Sequence, residues 1–308
     1  MSSRFVAQRL VQTLLTILLL SVIVFALARI SGDPVAIMAP PEASEAELDQ
    51  LRAKLGLDQP ILVQYWRFLS NAAQGDFGTS IKWNSSAAEI IIDRFPATIL
   101  LSATSMLFGL LLALPVGILS AVKRDTWFDN VGKVVALTGQ SMPTFWFGIL
   151  LILVFSLYVP IFPTSGYGTA AHLVLPSITL GGFVAASIMR VTRSSMLDAL
   201  EADYVRTARS KGVAEWRVVM VHALKNGAIP ILTITALQAA TILRGAVVTE
   251  SVFAWPGVGK IAVDAVYARD FPLVQAAVLF MGVVFLIMNL LVDFLYVLLD
   301  PRISYLKK

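Results

Sequence analysis

Long stretches without a single charged residue dominate this chain. Residues 134–189 contain no Asp, Glu, Lys or Arg, and residues 10–28 form a shorter run of the same kind. About 20 consecutive apolar residues in a helix suffice to cross the hydrocarbon core of a bilayer. Of the 308 residues, 57% are hydrophobic and only 14% are charged, which is far from the composition of a soluble domain. The chain is therefore predicted to be an integral membrane protein.

The apolar runs can be divided into six spans. The longest run is interrupted by VPIFPTSGYG at residues 159–168, whose prolines and glycines disfavour a continuous helix. The runs lack the period-two alternation of barrel strands, and a bilayer admits only helices or closed barrels. We predict an all-α fold with spans at residues 10–28, at 95–122, in the two parts of 134–189, after Lys225 and at 271–292.

The distribution of Lys and Arg predicts the orientation. Six spans place both termini on one side, and the segments assigned to that side carry 15 of the 24 basic residues, whereas the opposite side carries 8. Loops rich in Lys and Arg face the cytoplasm, so both termini are expected to be cytoplasmic. The net charge of +4 then reflects basic inner loops, and no nucleic-acid partner is indicated.

Two hydrophilic segments lie between the spans. Residues 30–95 are expected on the outside as a small helical cap, because Ser44 and Glu47 have the spacing of a capping box and are followed by leucines at helical intervals. Residues 190–228 are expected to form a cytoplasmic loop. Since neither is large enough for a separate soluble domain, residues 1–308 are treated as one membrane domain. A cleaved signal peptide ending at residues 26–28 is the alternative for the first span.

The sequence lacks the residues that several kinds of catalytic site require. The sequence PGVGK at residues 256–260 resembles a phosphate-binding loop, but position 254 is Ala and Ile261 replaces the Ser or Thr that would bind magnesium. A turn with glycines at positive φ is the simpler interpretation. The chain has no cysteine, and its two histidines, His172 and His222, are predicted on opposite sides of the membrane. We therefore predict that the chain is not an enzyme and binds neither metal nor ATP by itself.

Arg244 is the one basic residue well inside a predicted span. A charge at that depth is unfavourable unless it faces protein or water. It is interpreted either as a residue of a translocation path that attracts an anionic group, or as a side chain that reaches the headgroups or pairs with Glu250. The small residues Gly109, Ala113 and Gly117 share one helix face and permit close helix packing, within the chain or between subunits.

The inner loop combines charge with an apolar pattern. Residues 204–226, YVRTARSKGVAEWRVVMVHALKN, contain five basic residues, while Val213, Trp216, Met220 and Ala223 or Leu224 recur at helical spacing. Gly212 permits a sharp bend before this helix. The pattern is typical of a helix that lies on anionic lipid or of one that docks into a groove of a cytoplasmic protein; the charge alone is also explained by the excess of basic residues in cytoplasmic loops.

Motifs along nearly the whole chain resemble one transporter family. DYVRTARSKG (203–212) and HALKNGAIP (222–230) look like the cytoplasmic coupling loop of permease subunits in bacterial ABC importers of dipeptides, oligopeptides, glutathione and nickel. The likeness includes RISGDP (29–34), LGLDQP (55–60), GDFGTS (75–80), VFAWPGVG (252–259) and NLLVDFLYVLLDPRI (289–303).

The resemblance implies an assembly in the bacterial cytoplasmic (inner) membrane. Its other members would be a second, homologous permease, two cytoplasmic ATPase subunits that bind ATP and Mg, and a periplasmic or lipid-anchored solute-binding protein. Gly212 matches the hallmark glycine of the coupling loop. Arg206, Thr207 and Ala208 fall on the first three consensus positions, of which only the alanine is kept, as in the peptide branch.

The resemblance also implies which residues transmit the action of the ATPases. The expected coupling residues are Asp203, Tyr204, Arg206, Thr207, Ala208, Lys211, Gly212, Val213, Trp216, Met220 and His222. Arg244 and Glu250 are the candidates for the translocation path. Arg244 departs from the small or aliphatic residue that the resemblance leads us to expect.

The expected function is import of a peptide or peptide-like solute. Nickel chelates, opines or other small solutes are the alternatives within the family, because the binding protein usually selects the solute. A secondary carrier that works alone is the rival from another class, and transport without any ATPase would favour it.

Overall fold

The computed structural model of the chain describes residues 3–30, 35 and 44–299. The predicted motif RISGDP and the end of NLLVDFLYVLLDPRI therefore lie partly outside the described residues, as does the C-terminus. The helices are α1 (Ser3–Ile30), α2 (Glu45–Leu55), α3 (Ile61–Ala73), α4 (Ala87–Val122), α5 (Trp127–Ser141), α6 (Thr144–Ile152), α7 (Ala170–Glu201), α8 (Asp203–Ser210), α9 (Glu215–Arg217), α10 (Leu224–Val252), α11 (Val258–Tyr267) and α12 (Phe271–Leu299).

Two helices continue through wider turns. Residues Leu153–Tyr158 extend α6 as π-helix, and Val218–Ala223 join α9 to α10 in the same way. Over the described ranges the β pairing is a single bridge between Thr79 and Ser86. The all-α prediction is confirmed.

The helices account for six spans if one bent pair is counted as a span. Five helices are long and apolar enough to cross a membrane, and the sixth candidate is α5 with α6, which meet at an angle of 106°. The predicted break at 159–168 is present, with positive φ at Gly166 and Gly168. The bend between α5 and α6 was not predicted.

Pro143 explains this bend. It lacks an N–H group and disfavours helical backbone at the residue before it. Met142 accordingly has extended backbone (φ −82°, ψ 131°), and α6 restarts at Thr144 with no side-chain cap. The helical hydrogen bonding of this span is therefore interrupted at the bend.

The described residues form two compact units. Unit 1 comprises residues 98–255 and 288–299, and unit 2 comprises residues 3–97 and 256–287. In unit 1, α4 and α7 approach closely through glycines: a Cβ on Gly117 would lie 2.9 Å from the carbonyl oxygen of Met189, and one on Gly109 would lie 3.1 Å from that of Gly181. The predicted row of small residues therefore packs within the chain.

Unit 2 contains the first span and the predicted cap helices. Ser44 and Glu47 form the expected capping box at the start of α2, and the backbone and side-chain hydrogen bonds from Ser44 lower the pKa of Glu47. Helix α3 packs on α1, where the hydroxyls of Tyr65 and Ser21 are 2.9 Å apart. The location of these helices outside the membrane stays a prediction.

A buried carboxylate connects the loop before α4 to α12 within unit 2. Asp270 is fully buried. It accepts hydrogen bonds from the Ser80 hydroxyl (2.5 Å) and the N–H groups of Lys82 (3.1 Å) and Leu273 (3.3 Å). The last of these bonds caps the first turn of α12.

The segment PGVGK begins helix α11 and does not form the turn that we predicted from its glycines. Gly257 is the N-cap residue with φ −93°, whereas the positive φ in this turn belongs to Ala254 (φ 48°). The expectation of glycines at positive φ here was wrong, because the helix already starts at Val258.

Candidate functional site

A sharp reversal at Gly212 shapes the segment 203–222, which we call the coupling segment. The N–H of Gly212 donates to the carbonyl oxygen of Arg209 (3.0 Å), and the N–H of Val213 donates to that of Ala208 (3.2 Å). These two bonds are those of a Schellman motif, which requires a left-handed residue after the helix. Gly212 supplies it with φ 73°, so the predicted bend is confirmed.

The coupling segment rests on an apolar base. Within unit 1, buried residues of α8 and of the π-helical turn pack against the ends of α4 and α7. The cluster consists of Ala121, Met196, Ala199, Leu200, Val205, Ala208, Val218, Val219 and Ala223, with Val213 and Leu224 packed against it. The burial of these side chains against α4 and α7 anchors the coupling segment to both helices, so the segment is expected to move with them.

The opposite side of the coupling segment presents large apolar side chains. Trp216 is 62% exposed, Met220 49% and Tyr204 41%. The predicted continuous stripe was wrong in part, because Val213 and Ala223 belong to the buried side. Val213 lies in the reversal before α9, where its N–H bonds back to Ala208, so the helical spacing does not apply to it. For Ala223 the π-helical turn Val218–Ala223 explains the difference, since its wider turn rotates side chains away from the α-helical spacing used in the prediction.

Charged and polar side chains surround these apolar residues. Asp203 pairs with Arg206 (3.3 Å), one turn apart on α8. Arg209 pairs with Glu215 (2.6 Å) across the bend, and these hydrogen bonds raise the pKa of Arg209. The predicted coupling residues with exposed side chains are Asp203, Tyr204, Arg206, Thr207, Lys211, Trp216 and Met220; His222 is partly buried, and Ala208 is buried.

A buried ion pair near this base was missed by the sequence reasoning. Asp129 on α5 accepts two hydrogen bonds from Arg193 on α7, at 2.6 and 2.8 Å, and also pairs with Lys133 (2.8 Å). The Asp129 side chain is fully buried, whereas that of Arg193 is 22% exposed. A carboxylate at the start of an otherwise apolar helix, with a basic residue one turn later, was the available signal.

Arg244 lines a cavity of about 600 Å³ in unit 1. The cavity lies at the bend between α5 and α6 and extends to α7 and α10. Its lining residues are Gln140, Ser141, Met142, Pro143, Thr144, Leu180, Phe183, Val184, Thr241, Ile242, Arg244 and Gly245. The Arg244 side chain, a candidate for the translocation path, therefore borders a cavity large enough for a small solute.

Glu250 does not line this cavity. It is fully buried and accepts a hydrogen bond from the Thr98 hydroxyl (2.6 Å). Six residues along an α-helix correspond to a rotation of about 120° between the two side chains. The two candidate path residues therefore leave α10 in different directions.

Across the residues that the structure covers, no group of three or more His, Asp or Glu side chains has the arrangement of a metal site. His172 instead contacts the Thr169 hydroxyl through Nδ1 (2.7 Å).

Comparison with known proteins matches the chain almost from end to end. Residues 113–305 match the family described as binding-protein-dependent transport system inner membrane component. Residues 2–102 match the N-terminal part of the corresponding membrane component. Together these two matches cover both described units.

Named relatives and a solved structure agree with these matches. The glutathione transport system permease protein GsiC of Escherichia coli (strain K12) is 43% identical over 302 residues, 98% of this chain and 99% of the relative. GsiC of Salmonella typhi gives the same values. The MetNI methionine ABC transporter in an inward-facing conformation matches at a TM-score of 0.55 with 16% identity, over 68% of this chain and 96% of that chain. At this identity the structural match supports the fold.

Proposed function

This chain belongs to the family of binding-protein-dependent transport system inner membrane components, and from that membership we propose that it forms half of the translocation pathway for a peptide-like solute. It is a multi-pass inner-membrane permease subunit of an ABC importer. The observation that carries the proposed solute class is the 43% identity, over 98% of the chain, to permeases named for glutathione transport.

The other half of the pathway would come from a second, homologous permease. ATP and Mg would bind to two cytoplasmic ATPase subunits, since the PGVGK segment of this chain starts helix α11 and departs from the phosphate-binding pattern at Ala254 and Ile261. A periplasmic or lipid-anchored solute-binding protein would deliver the solute. This chain then supplies a path and a mechanical connection.

The coupling segment is the proposed contact with one ATPase. The exposed apolar side chains of this segment are those of Trp216, Met220 and Tyr204, and its base is packed on α4 and α7. Such a protruding apolar surface suits insertion into a groove on a partner protein. Arg206, Lys211 and Asp203 would provide a polar rim around it. Movement of the ATPases would be transmitted as rigid-body motion of the spans.

The proposal implies an orientation that places the coupling segment in the cytoplasm. Both termini would then be cytoplasmic, and α2 and α3 would lie on the external side. Labelling of single cysteines introduced at exposed positions of the coupling segment, in a chain that contains no natural cysteine, tests this orientation with membrane-impermeant reagents.

Reconstitution tests the function itself. The complete transporter, with both permeases, both ATPase subunits and the binding protein, is placed in liposomes and supplied with radiolabelled glutathione. We expect uptake that requires ATP and the binding protein. Uptake by this chain alone, without ATPase subunits, would support the secondary carrier and contradict the proposal.

The cognate binding protein tests the solute class separately. Ligands that copurify with it can be identified by mass spectrometry. Peptides or γ-glutamyl peptides are the expected result, whereas nickel chelates or opines would assign the transporter to another branch of the same family.

A further inference from the structure

The cavity beside Arg244 combines a fixed positive charge with a set of hydrogen-bond acceptors. The guanidinium group of Arg keeps its charge at all physiological pH values and presents planar donors that match a carboxylate. Arg244 lies on α10 among long apolar stretches, where a cation is unfavourable unless it faces protein or water. The cavity of about 600 Å³ provides such a surrounding.

Hydroxyl groups near Arg244 are oriented by hydrogen bonds to the backbone. Thr241, three residues earlier on α10, donates to the carbonyl oxygen of Leu237 (3.1 Å), and Ser141 donates to that of Leu137 (2.9 Å). A hydroxyl that already donates its proton has lone pairs left to accept another hydrogen bond. These two groups can therefore accept N–H donors of a solute.

Gln140 adds a further acceptor. Its side-chain nitrogen donates to the Ser187 hydroxyl (2.7 Å), which leaves its carbonyl oxygen as an acceptor and its second N–H as a donor for a solute. The first turn of α6 contributes partial positive charge at Thr144, because Pro143 provides no side-chain cap. This contribution supplements Arg244 and does not by itself define a site.

The remaining wall of the cavity is apolar. Leu180, Phe183 and Val184 of α7 face it together with Ile242 of α10. Pockets for small solutes commonly have volumes of about 300–1,000 Å³, with apolar walls and a few polar groups that fix orientation. One cationic donor, several acceptors and an apolar wall match a solute that has a carboxylate, N–H groups and hydrocarbon.

We infer that this cavity is a carboxylate-binding subsite on the translocation path, in which Arg244 contacts a carboxylate of the solute while Thr241, Ser141 and Gln140 accept its N–H groups. The inference rests on the proposed function and adds the chemical class that the path itself selects. It makes Arg244 a specificity-determining residue of the permease, independent of the choice made by the binding protein.

The test compares three solutes in proteoliposomes that contain the complete transporter and its binding protein. The solutes are glutathione and its two mono-amides, in each of which one carboxylate is replaced by a neutral amide. The permease variants are Arg244→Gln, which removes the charge, and Arg244→Lys, which keeps it. Arg190→Gln is the matched control, because Arg190 is an exposed arginine of α7 that does not line the cavity.

We expect Arg244→Gln to lower kcat/KM for glutathione by about tenfold or more, the effect of losing one hydrogen bond to a charged group. Arg244→Lys keeps the charge but loses the planar pair of donors, so its uptake of glutathione should fall less than that of Arg244→Gln. The mono-amide that lacks the contacting carboxylate should be nearly insensitive to Arg244→Gln. For each variant, the kcat/KM values of the three solutes are compared within one preparation, so the fraction of folded protein cancels. The preference of the binding protein is the same for every variant and cancels when the variants are compared.

Two results would overturn the subsite while leaving the proposed function intact. In the first, glutathione and both mono-amides lose uptake to the same extent in Arg244→Gln. In the second, Gln and Lys at position 244 have the same effect on glutathione. Absence of ATP-dependent uptake of these three solutes and of the peptides that copurify with the binding protein, by the unmodified transporter, would overturn the proposed function and the subsite together.

Discussion

Arg193 holds the carboxylate of Asp129 with two hydrogen bonds, from Nε to Oδ1 at 2.6 Å and from Nη2 to Oδ2 at 2.8 Å. The contact joins α5 to α7 at a point where Asp129 is fully buried. It lies only a few residues along α7 from Met196, Ala199 and Leu200, which form part of the base under the coupling segment. The pair therefore fixes the position of α5 relative to α7, one of the two helices that support this base.

Replacing Asp129 with Asn should destabilise the protein substantially. Removing one partner of a buried ion pair leaves the other charge uncompensated and typically costs about 3–5 kcal/mol. We expect the low end of this range, because Arg193 is 22% exposed. The change in free energy of unfolding can be measured by thermal or chemical unfolding of the purified chain in detergent.

Arg124→Gln is the matched control for this prediction. Arg124 pairs with Glu201 at 2.7 Å, but both side chains are more than half exposed, and such pairs contribute at most about 1 kcal/mol. Equal destabilisation by Asp129→Asn and Arg124→Gln would contradict the role assigned to the buried pair.

Trp216→Glu should abolish ATP-dependent uptake and copurification of the ATPase subunits without unfolding the permease. Trp216 is 62% exposed, so a carboxylate there remains solvated in the isolated chain but would be buried without a partner in an apolar groove. Copurification and membrane insertion are measured in the same preparation.

Trp216→Phe provides the comparison, since it keeps most of the apolar area and should retain coupling. Normal copurification of the ATPases with Trp216→Glu would remove Trp216 from the interface.

Gly212→Glu should reduce uptake because position 212 requires left-handed backbone. The φ of 73° costs a residue with a Cβ roughly 1–2 kcal/mol. A Cβ at Gly212 would meet no atom within 4 Å, so the penalty comes from the backbone and not from a clash. Gly212→Asn should be milder, since Asn tolerates this conformation. Uptake by the reconstituted transporter is the measurement.

Gly75→Glu is the control that separates the effect of backbone strain on stability from a specific effect on uptake. Gly75 has φ 80° and, like Gly212, no atom within 4 Å of the position that a Cβ would occupy, but it lies before α4 and outside the coupling segment. The variant should lose comparable stability and keep its uptake. Similar loss of uptake in both variants would mean that general destabilisation explains the effect of Gly212→Glu.

Asp270→Ala should destabilise unit 2. The substitution leaves the Ser80 hydroxyl and the N–H groups of Lys82 and Leu273 without the acceptor they share, and a buried donor left unsatisfied costs about 1–3 kcal/mol. We expect a loss of roughly 2–5 kcal/mol in the free energy of unfolding. Unfolding in detergent, monitored by circular dichroism, measures it.

Asp76→Ala is the control for Asp270. The exposed Asp76 accepts one hydrogen bond, from the N–H of Gly78 (2.9 Å), so its removal should cost about 1 kcal/mol or less. If the two variants unfold at the same temperature, Asp270 does not anchor unit 2.

The spans could be predicted from the sequence because hydrocarbon thickness imposes a long, uncharged signal. The bend at Pro143 has no comparably definite sequence signal. A proline inside an apolar run either kinks a helix or ends it, and the outcome depends on what neighbouring helices offer to the freed backbone groups. The predicted break at residues 159–168 was clearer because prolines and glycines cluster there.

The coupling segment shows the same limit of sequence-based prediction for the orientation of single side chains. Gly212 was predicted from local chemistry, since a left-handed cap requires glycine. The orientation of Val213 and Ala223 was predicted with an α-helical period and was wrong, because Val213 lies in the reversal before α9 and Ala223 lies in the π-helical turn Val218–Ala223. The spacing of Asp129 and Lys133 was a local signal for a paired carboxylate, but the pairing of Asp129 with Arg193 joins residues far apart in sequence and no local pattern indicates it.

The π-helical turn has a mechanical consequence. It makes Glu215–Val252 one uninterrupted helical column that carries Trp216 near one end and Arg244 about 40 Å away, at 1.5 Å per residue. Pro230 lies inside this column and removes one backbone hydrogen bond from it. Under the proposed function, movement of Trp216 would therefore reach Arg244 through one continuous helix and would not have to pass through loops.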